Sequence, residues 1–319
     1  QIFKNRTNLG LKTLYDLCEI QSSPTTFDLG FKLGPRINAG GRVGKSSDGA
    51  DLLISEDPQK AYQIAISLDK YNTERQNIEM QLSEQIEIEA KKFHNHPVLV
   101  LVGSDWHEGV LGIIASKIKD KYNKPTIIIS LNKKIGKGSA RSIVGFDIGT
   151  QIIKAVQLNI LEKGGGHKMA GGFSIKKEKI PIFRDLLIKN FERLYTTSSE
   201  DINLYLDSII APSALNEIFF EEINLLSPFG SGNLEPNFVI ENIKVLSSNL
   251  VKNRHIKSLL IAKDGSTFKA FAWNARDTLL ESYLEKDQKN KINIAGNIRL
   301  NEWKGKKEIQ FNIVDIAVA

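Results

Sequence analysis

The stretch "PVLVLVGSDWHEGVLGIIASKIKDKYNKPTIIISL", residues 97–131, sets two continuous apolar runs on either side of an amphipathic segment. Unbroken runs of β-branched residues and leucine suit strands buried on both faces, as in a parallel sheet. Between them Val110, Ile113, Ile114 and Ile118 recur at helical spacing. Further along, "GKGSARSIV" (136–144) reads as a third strand, "IGTQIIKAVQ" (148–157) as a helix, "GGFSI" (171–175) as a strand and "IFRDLLIKNFERLY" (182–195) as a helix. Strand and helix alternate throughout, so this lobe is expected to be α/β.

Upstream, Leu9, Leu11, Leu14, Leu17 and Cys18 fall on one helical face, and residues 22–49 read as a glycine-rich connection. From Pro58, a favoured first helical position, an apolar stripe runs through Ala61, Ile64, Ala65, Leu68, Ile78, Leu82, Ile86 and Phe93. Such a helix spans about 54 Å and is expected to act as a spacer joining two lobes. Downstream of the polar "TTSSED" (196–201), short alternating runs are separated by turn signals such as Asp264-Gly265 and Lys304-Gly305. These predict antiparallel strands and a small β-barrel. The expected segments are 1–57, a connecting helix over 58–95, an α/β domain over 96–198 and a barrel over 199–319.

The chain has 319 residues, 43 Lys plus Arg against 37 Asp plus Glu, and a net charge of +6, which leans toward a polyanionic partner. The lone Cys18 excludes a disulfide framework within the chain and any multi-cysteine zinc site, so a reducing cytoplasm is expected. No stretch is apolar enough to cross a bilayer as a helix, and no signal-peptide layout opens the chain. Gln1 leads directly into helical spacing, which reads as a cut through a longer protein.

Isolated histidines, without an HExxH helix or a compact Asp/His cluster, leave no metal-ligating pattern. There is also no GxSxG elbow and no Walker sequence. Three motifs suit phosphate instead. "GPRINAGGR" (34–42) places Arg36 and Arg42 in a glycine-rich loop, where two guanidinium forks suit bidentate contact. "KKIGKGSARS" (133–142) combines Lys137, Ser139, Arg141 and Ser142, and strand alternation aims Ser139 and Arg141 to one side. "GGGHKM" (164–169) offers Gly164, Gly165 and Gly166 as a bare backbone beside His167 and Lys168. For that last motif a flexible turn with a solvent-facing His167 is the competing reading. In the barrel Phe271 and Trp273 share a face, and with Trp303 and Lys304 they are candidates for stacking against a single strand or for core packing.

Six motifs in order, "LGPRINAGGRVG" (33–44), "YNTERQNIE" (71–79), "WHEGVLGIIASKI" (106–118), "GKGSARSIVGFD" (136–147), "GGGHKMAGGF" (164–173) and "SPFGSGNLEPNF" (227–238), resemble the RecJ family of the DHH phosphoesterase superfamily. The resemblance implies a truncated DHH core, a connecting helix, a DHHA1 domain and an OB-fold. It also implies metal-dependent exonuclease activity, 5′ to 3′ on single-stranded DNA, in recombination and repair, with Mn2+ or Mg2+ activating water. The family's metal ligands are aspartates and an Asp-His-His motif of the core; this chain contains no Asp-His-His, so the resemblance places them upstream of Gln1 and no metal on this fragment.

By the same resemblance Ser139, Arg141 and Ser142 meet the 5′ phosphate, Arg36 or Arg42 approaches from the opposing lobe, and catalytic His167 contacts the backbone near the scissile bond. Gly164, Gly165, Gly166 and Lys168 line the approach. The sequence departs from the family where Glu108 replaces a common proline, Ala140 a frequent glycine, and Gly171 and Gly172 alanines. Partners implied are single-stranded DNA, with a single-strand-binding protein or a helicase, and the chain is expected to be monomeric. Two alternatives stand beside this reading: a non-catalytic nucleic-acid-binding scaffold and a short-oligonucleotide or cyclic-dinucleotide phosphodiesterase.

Overall fold

A computed structural model describes residues 6–21, 23–195, 203–230, 232–285, 291–303 and 306–319. The chain divides into two units, Gln1–Ile202 and Asn203–Ala319. No helix among the described residues is long and apolar enough to cross a membrane.

The first unit opens with helix α1 (Leu9–Leu17), a π-helical segment over Asp28–Leu33, α2 (Gly34–Val43) and α3 (Asp48–Leu53). The glycine-rich connection is therefore largely helical, contrary to the loop expected from its composition. Several of its glycines answer tertiary crowding: a Cβ on Gly40 would lie 2.4 Å from the Lys45 carbonyl oxygen, and one on Gly49 2.6 Å from that of Ile37, whereas Gly30 and Gly41 have open space. Close packing here overrides low helix propensity.

Helix α4 (Pro58–Lys92) begins at Asp57, whose carboxylate accepts hydrogen bonds from the backbone N–H groups of Gln59 and Lys60. Its first half buries Ala61, Ala65 and Leu68 against Leu14, Tyr15 and Leu52. Its second half buries Ile86 and Ala90 in another cluster with Leu99, Leu101, Val110 and Ile114. The helix is thus a shared wall of two cores within one unit and not a free-standing spacer. Where the cores meet, Glu79 accepts from Arg75 at 2.5 Å and from Lys117 of the neighbouring helix at 2.5 Å, while Arg75 also donates to Asn72.

The α/β part contains β1 (Leu99–Ser104), α5 (Glu108–Tyr122), β2 (Thr126–Asn132), β3 (Ile135–Arg141), α6 (Ile148–Gln157), β4 (Lys163–His167), β5 (Ala170–Lys176) and α7 (Ile180–Leu194). The sheet order is β1-β2-β3-β5-β4, with β1 and β2 parallel and the remaining pairs antiparallel. One face packs on α6 and α7 through Ile127, Ile129, Ala140, Phe173, Ile175, Ile152 and Phe183. On the other, α5 covers β1 and β2 through Ile128, Leu99 and Leu101, leaving β5 and β4 uncovered by it.

The second unit holds β6 (Ser208–Ile209), α8 (Glu217–Asn224), β7 (Phe238–Val251), β8 (His255–Ile261), β9 (Thr267–Ala272), α9 (Leu279–Tyr283), β10 (Ile292–Trp303) and β11 (Lys306–Val318). Strands β7 to β11 close into a five-stranded barrel: β10 pairs with both β11 and β7, and β9 runs parallel to β11. Phe238, Ile240, Leu260, Ile294 and Phe311 fill it.

Phe183 is fully buried, with its ring 5.0 Å from that of Phe173. Phe183→Ala is expected to destabilise the first unit by about 3–5 kcal/mol, measured by chemical denaturation. In the barrel, His255 is 3% exposed and its Nδ1 accepts from the Asn274 backbone N–H at 2.9 Å. Burial, then the charges of Arg254 and Lys252, hold its pKa below the ordinary imidazole value. The native state therefore binds fewer protons than the unfolded one, and barrel stability should be fully present above about pH 6.5 and decline as pH falls below it. A pH series of unfolding curves on the chain and on His255→Gln checks this; the substitution should flatten the dependence.

Candidate nucleic-acid interface

The β3–β5–β4 register fixes which side chains stand together. Arg141 lies opposite Ala170, and Ala170 opposite His167; Ser139 lies opposite Gly172, and Gly172 opposite Gly165. Because side chains alternate across a strand, Ser139, Arg141, Gly165 and His167 all face the side that β5 and β4 leave open. Ala140 and Phe173, out of phase, enter the core. Helix α5 walls this open strip on the β3 side. A Cβ on Gly112 would lie 2.7 Å from Arg141 Nη2 and 3.1 Å from Ser139 Oγ, so a side chain there would displace the Arg141 guanidinium from its present place. The strip is a groove with a floor of Ser139, Ala170, Gly172 and Gly165. His167 stands on its far edge, two inter-strand spacings or about 10 Å from Arg141.

The glycine motif is strand β4 of a hairpin, closed by the two-residue turn Lys168–Met169, and not a loop. Two of its three glycines are required by packing: a Cβ on Gly164 would meet Ile152 Cγ2 at 2.7 Å, and one on Gly166 the Ala170 carbonyl oxygen at 2.3 Å. Gly165 alone has open space, on the groove side. His167 is exposed, and its Nδ1 accepts from the Met169 backbone N–H at 3.3 Å. In the neutral ring that leaves Nε2–H free to donate. Lys168 is exposed at the turn.

Arg141 is half-buried, and its Nη1 donates to the Ala140 carbonyl at 2.8 Å and to Ser139 Oγ at 3.3 Å. Burial, followed by the positive charge of Arg42, holds its pKa below the ordinary guanidinium value. Arg42 ends α2 and donates to the Gly109 carbonyl of α5 at 3.1 Å. Among the described residues neither arginine has a carboxylate partner. Two like charges without a carboxylate partner raise the local positive potential.

Arg36 does not join them. It donates to Asp69 of α4 at 2.7 Å and to the Lys32 carbonyl at 2.8 Å, a structural tie between helices. Ser142 is 1% exposed, with its hydroxyl given to the Phe146 carbonyl at 2.6 Å, so it faces inward. The residues unforeseen from sequence are Gly109 and Gly112. Their signal was present, since two glycines three apart open an amphipathic helix, but only packing gives them meaning: Gly109 against the Arg42 backbone of α2, where a Cβ would lie 2.1 Å from the carbonyl oxygen, and Gly112 against the side chains of β3.

In the barrel, Phe271 and Trp273 lie together, ring centroids 4.7 Å apart, with Trp273 60% exposed and His255 4.7 Å beneath it. Phe268, in contrast, is core. Lys304 and the Trp303 side chain lie outside the described residues. Among the described residues no group of three or more His, Cys, Asp or Glu could hold a metal ion.

Family models match at residues 95–193, the DHHA1 domain, and at 206–315, the RecJ OB domain. The single-stranded-DNA-specific exonuclease RecJ of Bacillus subtilis is 32% identical over 98% of this chain and 40% of its own length. That of Haemophilus influenzae is 32% identical over 90% of this chain and 51% of its own. A crystal structure of RecJ from Thermus thermophilus in complex with Mn2+ superposes with a TM-score of 0.80, at 24% identity, over 98% of this chain and 44% of that one. The chain spans about half the length of the curated relatives it matches, or somewhat less. Over the part that these residues span, carrying the DHHA1 domain and the OB domain, the chain belongs to the RecJ family.

Proposed function

We propose that this chain is the strand-holding part of a RecJ-like exonuclease that degrades single-stranded DNA from the 5′ end in recombination and repair. The groove over β3, β5 and β4 receives the strand, with its terminal phosphate between Ser139 and Arg141. The observation that carries this is that Arg42, through the Gly109 carbonyl, and Arg141 with Ser139, beside Gly112, meet the same first turns of α5, and neither arginine has a carboxylate partner among the described residues. Arg42 and Arg141 supply charge, Ser139 supplies a hydroxyl, and His167 Nε2–H donates to a phosphate oxygen across the floor. Gly165 and Gly172 keep that floor low enough for a sugar-phosphate backbone.

A floor made of β3 and the β5–β4 hairpin, walled by a helix on the β3 side, suits one strand, which gives strand selection by shape and charge without base readout. The exposed Trp273 and the adjoining Phe271 suit stacking of bases, which is tolerant of sequence. Divalent ions of the family, manganese or magnesium, belong in this reading to residues outside this chain.

The alternative, a binding scaffold without catalysis, shares every one of these contacts. A manganese-dependent nuclease assay with the 319-residue chain and with the longer protein distinguishes them. Binding without cleavage by the chain, and cleavage by the longer protein, is the expected result; no cleavage by either supports the scaffold, and cleavage by the chain alone overturns the assignment of the metals.

Arg141→Ala should weaken binding of a 5′-phosphorylated oligothymidylate about tenfold or more, as expected for a lost charge-assisted hydrogen bond, and that of its 5′-hydroxyl counterpart far less. Equal losses would remove the terminal-phosphate pocket. Binding should also fall with salt, with a log–log slope near −0.7 per phosphate contacted, read from titrations at several salt concentrations.

A further inference from the structure

The first turn of α5 carries a carboxylate beside the groove. Glu108 precedes Gly112 by four residues, and residues so spaced stand on one helix face with Cβ atoms about 5–6 Å apart. Gly112 has no side chain of its own, but the Arg141 guanidinium occupies the place of one, with Nη2 2.7 Å from where a Cβ would be. A glutamate followed four residues later by a cation is the favoured order of a helical ion pair. Arg141 is thus placed as a partner for Glu108, and among the described residues its Nη2 donates to nothing. The pair is nevertheless not made. Glu108 Oε2 accepts instead from Lys137 Nζ at 2.7 Å, with both side chains about half exposed. Lys137 lies two residues before Ser139 on β3 and so on the same face. One lysine therefore holds a carboxylate away from two arginines, since Arg42 donates to the carbonyl of Gly109, the residue after Glu108.

We infer that Glu108 is an internal competitor for the terminal-phosphate pocket, and that Lys137, by holding Glu108, is a specificity-determining residue that keeps the pocket selective for a 5′ phosphate without touching it. This rests on the reading of Arg42, Ser139 and Arg141 as that pocket. A carboxylate and a phosphate monoester ask for the same guanidinium donors, so either one bound to Arg141 excludes the other. Released from Lys137, Glu108 takes Arg141, and an arriving terminal phosphate meets a like charge in place of a free donor. A 5′-hydroxyl end makes no such contact and loses little. The penalty therefore falls on one end group, whereas removing a positive charge elsewhere along the groove weakens both kinds of strand.

The test reads the ratio of the affinities of the 319-residue chain for 5′-phosphorylated and 5′-hydroxyl oligothymidylate, by fluorescence anisotropy of strands labelled at the 3′ end. Lys137→Met should lower this ratio about threefold or more, within the range of a partly exposed ion pair. Lys137→Arg should keep it, and so should Glu108→Gln. The double variant Lys137→Met/Glu108→Gln should return to the ratio of the unchanged chain, although it lacks the ion pair as completely as either single variant. A merely structural tie between α5 and β3 would not be rescued in this way. A double variant as poor as Lys137→Met shows that the lysine meets the phosphate itself and overturns the inference. Equal and opposite effects of the two single substitutions, as additive charges would give, overturn it too, as does an unchanged ratio in Lys137→Met. Arg141→Ala separates this inference from the reading beneath it. Loss of the preference there leaves the pocket standing whatever Lys137 does; a preference retained there, or missing from the unchanged chain, overturns both.

Discussion

The site depends on three antiparallel strands staying in register. With a side-chain period of two, a slip of one residue between β3 and β5 would send Ser139 and Arg141 into the core and Ala140 to the surface. Phe173 and Ile175 oppose that slip, since both are buried against α6 and α7 and fill space that a polar residue could not. The hydrophobic core on one face therefore specifies the chemistry on the other. The same argument reaches the wall of the groove, where Gly112 of α5 leaves room for the Arg141 guanidinium and the Ser139 hydroxyl.

Much of this was legible in the sequence. The strands at 99–104 and 126–132 follow from unbroken apolar runs, and the shared orientation of Ser139 and Arg141 follows from alternation alone. The errors have a common physical origin in glycine. Composition treats glycine as a signal for a loop, yet Gly40 and Gly49 lie in helices and Gly164 and Gly166 in a strand, each at a point where a neighbouring backbone or side chain fills the place of a Cβ. Glycine reports crowding as well as freedom, and only the packing partner, distant in sequence, tells the two apart. Arg36 and Arg42 show the same limit. Six residues apart in one motif, they point to different tasks because Asp69 lies within reach of one and Arg141 of the other.

Helix α4 gives the first unit its coherence. The hydrophobic clusters at its two ends share no residue, and between them the helix presents Asn72, Arg75 and Glu79, the last of which also takes Lys117 of α5. A buried carboxylate holding two cations is stable only while all three remain in place. It thus ties α4 to α5, the helix that carries Gly112 to the groove, beside the apolar packing of Val110, Ile114 and Ile118.

Strand β4 is the edge of its sheet, and a glycine-rich edge invites another strand to pair with it, because nothing on the glycines obstructs approach. Lys163, His167 and Lys168 border those glycines at both ends of the strand. Charges so placed repel a second copy of the same edge, whereas a polyanion is drawn toward them. On the proposed reading, the side chains that draw a nucleic acid to this face also oppose pairing of two such sheets edge to edge.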